Sequence, residues 1–108
     1  MSEIKVVVIY PRPTDVDVFE KAYIDDHVPL AIAKIKGVTK FVATKVLGTP
    51  DGSTPPYYRI AELYFPSMEA LQESVASAGT QEAVAHAVAI STGGAPIVLV
   101  AEEETVTP

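Results

Sequence analysis

The stretch IKVVVIYPRPTDVDVFEKAYIDDHVPL, residues 4–30, holds one strand and one helix, and the rest of the chain is read from it. Ile4 to Tyr10 is a β-branched run and reads as a strand. Ile4, Val6, Val8 and Tyr10 point one way; Lys5, Val7 and Ile9 point the other. Both sets are largely apolar, so both faces of its sheet are expected to be covered. Pro11 and Pro13 end the strand. Thr14 or Asp15 then serves as an N-cap, and Asp15, Asp17 and Glu20 suit the positive end of a helix dipole. A helix is expected from about Asp15 to His27. Phe19, Tyr23 and His27 recur at i, i+4 and i+8 along one face, with Ala22, Asp26 and Leu30 on the same side. Pro29 has no amide to give the Asp25 carbonyl and disfavours helical geometry at Val28. A kink or break is therefore expected just after His27, leaving a free carbonyl beside a titratable ring.

Beyond that kink the helix resumes irregularly from Pro29 to Ile35 and Gly37 stops it. Val38 to Leu47 alternates as a second strand, and Gly48 to Pro56 is a loop with Asp51-Gly52 as its turn. Tyr57 to Phe65 is a third strand. Tyr58, Ile60, Glu62 and Tyr64 share one face; Tyr57, Arg59, Ala61, Leu63 and Phe65 share the other. Ser67 caps a helix with Met68, Leu71 and Val75 as its apolar stripe. Gly79-Thr80 is expected to interrupt it, with Thr80 capping a further helical piece that contains His86 and Ile90. Gly93-Gly94 is a turn, and Pro96 to Ala101 is a fourth strand. Residues 102–108 are expected to be a frayed acidic tail on a single domain spanning 1–108.

The order β-α-β-β-α-β predicts an α+β, ferredoxin-like fold: a four-stranded antiparallel sheet with two helices on one face. Two helices cover only one sheet face, yet the first and last strands are apolar on both. A lone subunit would expose an apolar patch of the kind that marks an interface. A homodimer, packed sheet against sheet, is the expected answer.

Composition narrows the function classes. The chain has no Cys, which excludes disulfides, thiolate metal sites and cysteine nucleophiles. The formal net charge is −6, and the eight basic residues are scattered without a patch, which argues against nucleic acid and anionic membranes as partners. No run approaches the ~20 apolar residues of a membrane span. The N-terminal residues lack the pattern of a secretory signal, so the expected location is cytoplasmic.

Three segments together resemble the EthD family of dimeric α/β-barrel proteins: YPRPTDVDVFEKAYIDDHVPLA at 10–31, YYRIAELYFPSMEAL at 57–71 and STGGAPIVLVAEE at 91–103. The resemblance lies in a Tyr-Pro strand end, an FE-x-x-Y-x-x-x-H-x-P-L helix, an aromatic third strand entering the second helix, and a Gly-Gly turn before the last strand. It implies a ferredoxin-like subunit that pairs into a barrel, and it places the family's histidine at His27 and its helix tyrosine at Tyr23. The family is named for a bacterial protein associated with degradation of a fuel ether, and similar folds include cofactor-free monooxygenases, lactone isomerases and polyketide cyclases or dehydratases. Fold alone does not choose among these. In the second helical piece the resemblance calls for an acidic residue and a Phe four positions on; here His86 and Ile90 stand there.

His27 is the first candidate for acid/base chemistry, because an unperturbed imidazole titrates near neutrality. An apolar pocket would lower its pKa, and a nearby Asp26 or Glu62 would raise it. Tyr23 and Glu62 complete the expected catalytic set. Tyr10, Phe19, Asp26, Tyr58, Tyr64 and His86 are the expected substrate-binding set, lining a small apolar pocket between sheet and helices. Each residue has a structural alternative: His27 anchoring the kink, His86 at a rim or surface, Glu62 at a solvated barrel mouth or in an intersubunit pair, the tyrosines packing with hydroxyls at an edge. His27, His86 and Glu62 lack the tight spacing of a metal motif, and no nucleotide or flavin fingerprint is present, so neither metal nor cofactor is predicted. The expected activity is cofactor-free acid/base chemistry of isomerase, dehydratase/cyclase or monooxygenase type on a small hydrophobic compound. The competing expectation is a non-catalytic accessory or metabolite-binding protein.

Overall fold

The computed structural model describes residues 3–108. The elements are β1 (Glu3–Pro11), α1 (Val16–Lys21), a π-helical segment (Ala22–His27), α2 (Val28–Lys34), β2 (Lys40–Lys45), β3 (Tyr57–Phe65), α3 (Met68–Ala76), α4 (Ala78–Ile90) and β4 (Ile97–Glu103). The sheet has the order β2-β3-β1-β4 with every neighbouring pair antiparallel, which is the ferredoxin-like arrangement. β1 is central: Val6 faces Leu63 of β3 and Val100 of β4, and Val8 faces Ala61 and Val98.

Strand parity sets the core. Ile4, Val6 and Val8 join Ala61, Leu63 and Phe65 beneath Leu71 and Ile35 of the helical layer. A second cluster, at the other end of β1, gathers Tyr10, Phe19, Tyr23, Tyr58 and Ala87. Tyr58 departs from the parity expected of it. Tyr10 pairs with Arg59 and Pro11 with Tyr57, so Tyr58 is an extra residue in a bulge. The bulge turns Tyr58 toward the helices, edge-on to Phe19 with ring centroids 5.9 Å apart, while Arg59 points the same way.

The first helical region does not break after His27. Asp15 caps α1 by accepting from the Val18 amide at 3.1 Å. The turn then widens before Pro29: the Val28 N–H reaches back five residues to the Tyr23 carbonyl. Pro29 therefore sits in the first turn of α2, where a missing amide and a fixed φ are tolerated. A wider turn advances less per residue, so Tyr23 and His27 keep one buried face while Asp26 swings out to solvent. The expected sharing of a face by Asp26 and His27 is thus corrected.

The second helical region also differs in detail. Leu71 and Ser74 are the buried positions of α3, whereas Met68 and Val75 are nearly half exposed. Gly79 does not interrupt a helix but lies in the first turn of α4, whose N-cap is Ser77 accepting from the Thr80 amide at 3.3 Å. A Cβ on Gly79 would overlap the Lys34 carbonyl, so glycine is what lets α4 lie close against the end of α2. Gly93 has the same role beside the Arg12 carbonyl, seating the turn before β4 against the end of β1. β4 continues through Glu102 and Glu103, two residues expected to fray. Glu103 is held by Lys5 Nζ at 2.8 Å and by the Tyr64 hydroxyl. Those two donors keep its carboxyl at about 2, well below the usual range.

Candidate functional site

A cavity of about 460 Å³ lies between the sheet and the helices. Its floor is apolar and comes from alternate residues of the strands: Val6 and Val8, Ala61, Leu63 and Phe65, and Phe41. Ala31 and Ile35 of the α2 region, with Ala83 and Ala87 of α4, form its roof. Val75, Gln81, Val84, Val98 and Val100 line it and are exposed, so its mouth opens between the α3–α4 pair and the edge strand β4. Among the described residues, the polar ones that line it are Tyr10, His27, Thr80 and Gln81, with no Asp, Glu, Lys or Arg.

Tyr10 and His27 meet at one end. The Tyr10 hydroxyl is 3.2 Å from His27 Nε2, and His27 Nδ1 is 2.9 Å from His86 Nδ1. The two imidazole planes differ by 8° with centroids 5.1 Å apart. That separation is nearly the hydrogen bond plus two ring radii, so the rings lie side by side in one plane and share an in-plane N–H···N bond. Three local features create this line. Tyr10 is the penultimate residue of β1, the widened turn presents His27, and the close seat of α4 at Gly79 brings up His86 one helical stretch later. His27 is 6% exposed, and its pKa falls to about 4, chiefly through burial and secondarily through the neighbouring His86. The ring is neutral at pH 7, with one nitrogen donating and the other accepting. Burial, then the adjacent Tyr23, pushes the Tyr10 hydroxyl above the ordinary phenol range, so it keeps its proton.

Tyr23 stands behind this line rather than in the cavity. Its ring stacks between Phe19, at 5.6 Å, and His27, at 5.8 Å. Tyr10 meets both Phe19 and Tyr23 edge-on at 5.4 Å. The Arg59 guanidinium lies over the Tyr23 ring at 5.0 Å and donates through Nε to Glu20 at 3.2 Å. The Tyr23 hydroxyl is fully buried with no hydrogen-bond partner among the described residues, and burial raises its pKa to about 12.

Of the residues singled out from sequence, then, the fold brings Tyr10, His27 and His86 together. Phe19, Tyr23 and Tyr58 are the packing behind them. Asp26 is exposed and Glu62 and Tyr64 are on the opposite face of the sheet, so none of these three lines the cavity. Glu62 pairs with Lys5, Tyr64 bonds Glu103, and the Lys40 ammonium sits 4.2 Å from the Tyr64 ring centroid. No carboxylate therefore raises the pKa of His27. Sequence reasoning did not find the lining residues Thr80, Gln81, Ala83 and Val84, nor the Arg59–Glu20 pair. The parity of Arg59 with Ala61 and Leu63 was the available signal that it turns toward the helices. Among the described residues, no cluster of three or more His, Asp or Glu side chains is placed to hold a metal ion, and no helix is long and apolar enough to cross a membrane.

The chain is 36% identical over 104 residues to an uncharacterized 11.0 kDa protein in the thcB–thcC intergenic region of Rhodococcus erythropolis, covering 96% of this chain and 98% of that one. It is similar in structure to an ethyl tert-butyl ether D (EthD) family protein of Bacillus halodurans C-125, with TM-score 0.80, 23% identity and coverage of 96% and 99%. A dimeric ferredoxin-like protein of unknown function from a Jannaschia species matches with TM-score 0.61, 18% identity and coverage of 97% and 100%. The family profile of the EthD domain matches residues 11–89. With that profile spanning most of the chain and the Rhodococcus relative aligned along nearly its whole length, the protein belongs to the EthD family.

Proposed function

We propose that this protein binds a small, uncharged hydrophobic organic molecule in the cavity between sheet and helices and moves a proton on it without a cofactor. The observation that carries this reading is the hydrogen-bonded Tyr10–His27 pair at the buried end of a chamber whose lining is mostly apolar. A volume of about 460 Å³ falls within the usual range for small-molecule sites. His27, neutral at pH 7, is the base and acts through Tyr10, whose hydroxyl meets the ligand and gains one proton as it gives up another. The sequence-level assignment of Tyr23 becomes a positioning role, through its stack on His27. Isomerisation, dehydration or cyclisation, and cofactor-free oxygenation all begin with such a proton transfer.

The subunit is read as half of a sheet-to-sheet homodimer, an α/β barrel. Ile97 and Leu99, on the face away from the helices, are 38% and 49% exposed, and Val7 and Ile9 lie beside them. The description of the Jannaschia protein as dimeric agrees with this.

A second reading, a non-catalytic metabolite binder, is favoured by one feature: both ring nitrogens of His27 already have partners within the protein. Native mass spectrometry of the purified protein, followed by turnover of whatever ligand it carries, separates the two. Loss of turnover in a His27→Ala dimer that still holds the ligand supports the enzyme. Equal turnover in that variant rejects it.

A further inference from the structure

Tyr10, His27 and His86 form a continuous line of hydrogen bonds from the buried end of the cavity outward. Tyr10 and His27 are buried, and His86 is half-buried. Among the described residues, His86 makes its hydrogen bond through Nδ1 alone, which leaves Nε2 on the side away from His27. A ring held coplanar with its neighbour at 2.9 Å has the alignment that proton transfer requires.

We propose that this line is a proton relay between the buried end of the cavity and solvent, with His86 as its outer, exchanging member. It rests on the function proposed above and extends it to a substrate class. That class is an uncharged compound that releases one proton at an oxygen or an activated carbon: a phenol, an enol, or a carbonyl compound with an acidic α-hydrogen. Carboxylates and phosphates fall outside it: they carry their charge from the start, and among the described residues no Lys or Arg lines the cavity to offset its burial. An anion formed in place lasts only until reprotonation and is met by the Tyr10 hydroxyl.

The step balances without a co-reactant. The Tyr10 oxygen takes the substrate proton as its own hydroxyl proton passes to His27 Nε2. His27 releases its Nδ1 proton to His86 Nδ1, and His86 releases its Nε2 proton to water. The substrate becomes an anion, water gains the proton, and each ring ends neutral in its other tautomer. Reprotonation of the substrate at a second position runs the same line in reverse and restores the starting tautomers. His86 touches no substrate in this scheme; it is a positioning and relay residue acting through His27.

The test needs no substrate, so its failure is distinct from failure of the proposed function. In the full chain labelled with ¹⁵N-histidine, water-exchange NMR reads the ring proton of His27. Exchange is expected in the native protein and its loss is expected in His86→Gln. That side chain keeps a hydrogen-bond partner for His27 but cannot accept a proton on one atom and release one from another. In His86→Ala, added imidazole is expected to restore the exchange peak. Native-like exchange in His86→Gln would overturn the relay, since the proton would then reach His27 by another route. If His86→Ala does not fold, the glutamine variant still decides.

Discussion

The Nδ1 atoms of His27 and His86 are 2.9 Å apart in nearly coplanar rings, so one must donate where the other accepts. Two charged imidazoles are incompatible with that contact, and the apolar cavity beside it disfavours even one charge. The site is therefore built to hold His27 as a neutral ring that shares one proton with His86, and its pH behaviour follows.

His27 titrates at about 4 in the folded protein and near 6.5 when unfolded. Above pH 6.5 both states carry a neutral ring and the group contributes no pH dependence. As pH falls below that, the unfolded chain binds the proton first, so stability drops until the folded ring also titrates. The loss is on the order of 3 kcal/mol. Urea unfolding of the native protein and of His27→Gln, at pH 7 and pH 4, checks this. The native protein should lose that much more than the variant on acidification; equal losses would contradict it.

The cavity is tested by filling it. Ala83 is 1% exposed in α4 and lines the chamber. Ala83→Phe should close much of the volume while changing stability by no more than about 1–3 kcal/mol. Calorimetric titration with 4-methylphenol should show binding to the native protein and none to the variant. The 4-methylbenzoate anion should fail with both, and tight benzoate binding would reject an uncharged ligand.

Gly79 supports a prediction against helix propensity. Alanine in an exposed helix gains about 1 kcal/mol over glycine. Here the new Cβ would strike the Lys34 carbonyl and push α4 from α2. Gly79→Ala should destabilise by about 1–3 kcal/mol and weaken the His27–His86 bond. Thermal denaturation with ¹⁵N imidazole shifts reads both effects; a stabilised variant would show that the close approach is not required.

Much of this was legible in the sequence. Period-two runs such as IKVVVIY and YYRIAELYF, and the spacing of Phe19, Tyr23 and His27, carried the strand order and the aromatic helix face. What parity counting misses is an extra residue, so the bulge that turns Tyr58 inward was not visible. Pro29 announced a disturbance, but a broken turn and a widened one have the same sequence signature, and only the second sends Asp26 outward. Glu62 and Tyr64 were attractive as chemistry, yet they alternate with Leu63 and Phe65, the apolar set that the helices cover. The meeting of His27 with His86 depends on how closely α4 approaches, which Gly79 controls and no local pattern announces.

The outer sheet face offers a separate check on assembly. Leu99, half-exposed on β4, lies where the proposed sheet-to-sheet contact would bury it. Leu99→Asp should convert a dimer to a folded monomer in analytical ultracentrifugation, with unchanged far-UV circular dichroism. A native protein that is already monomeric at micromolar concentration would contradict the barrel.

The most direct test of the central claim, a neutral His27 at the buried end of the cavity, is the NMR titration of its ring. A midpoint near 4, with Nδ1 and Nε2 shifts of a neutral ring at pH 7, is the predicted result. A midpoint at or above 6.5 would mean a solvated or carboxylate-paired imidazole, and would contradict the site described.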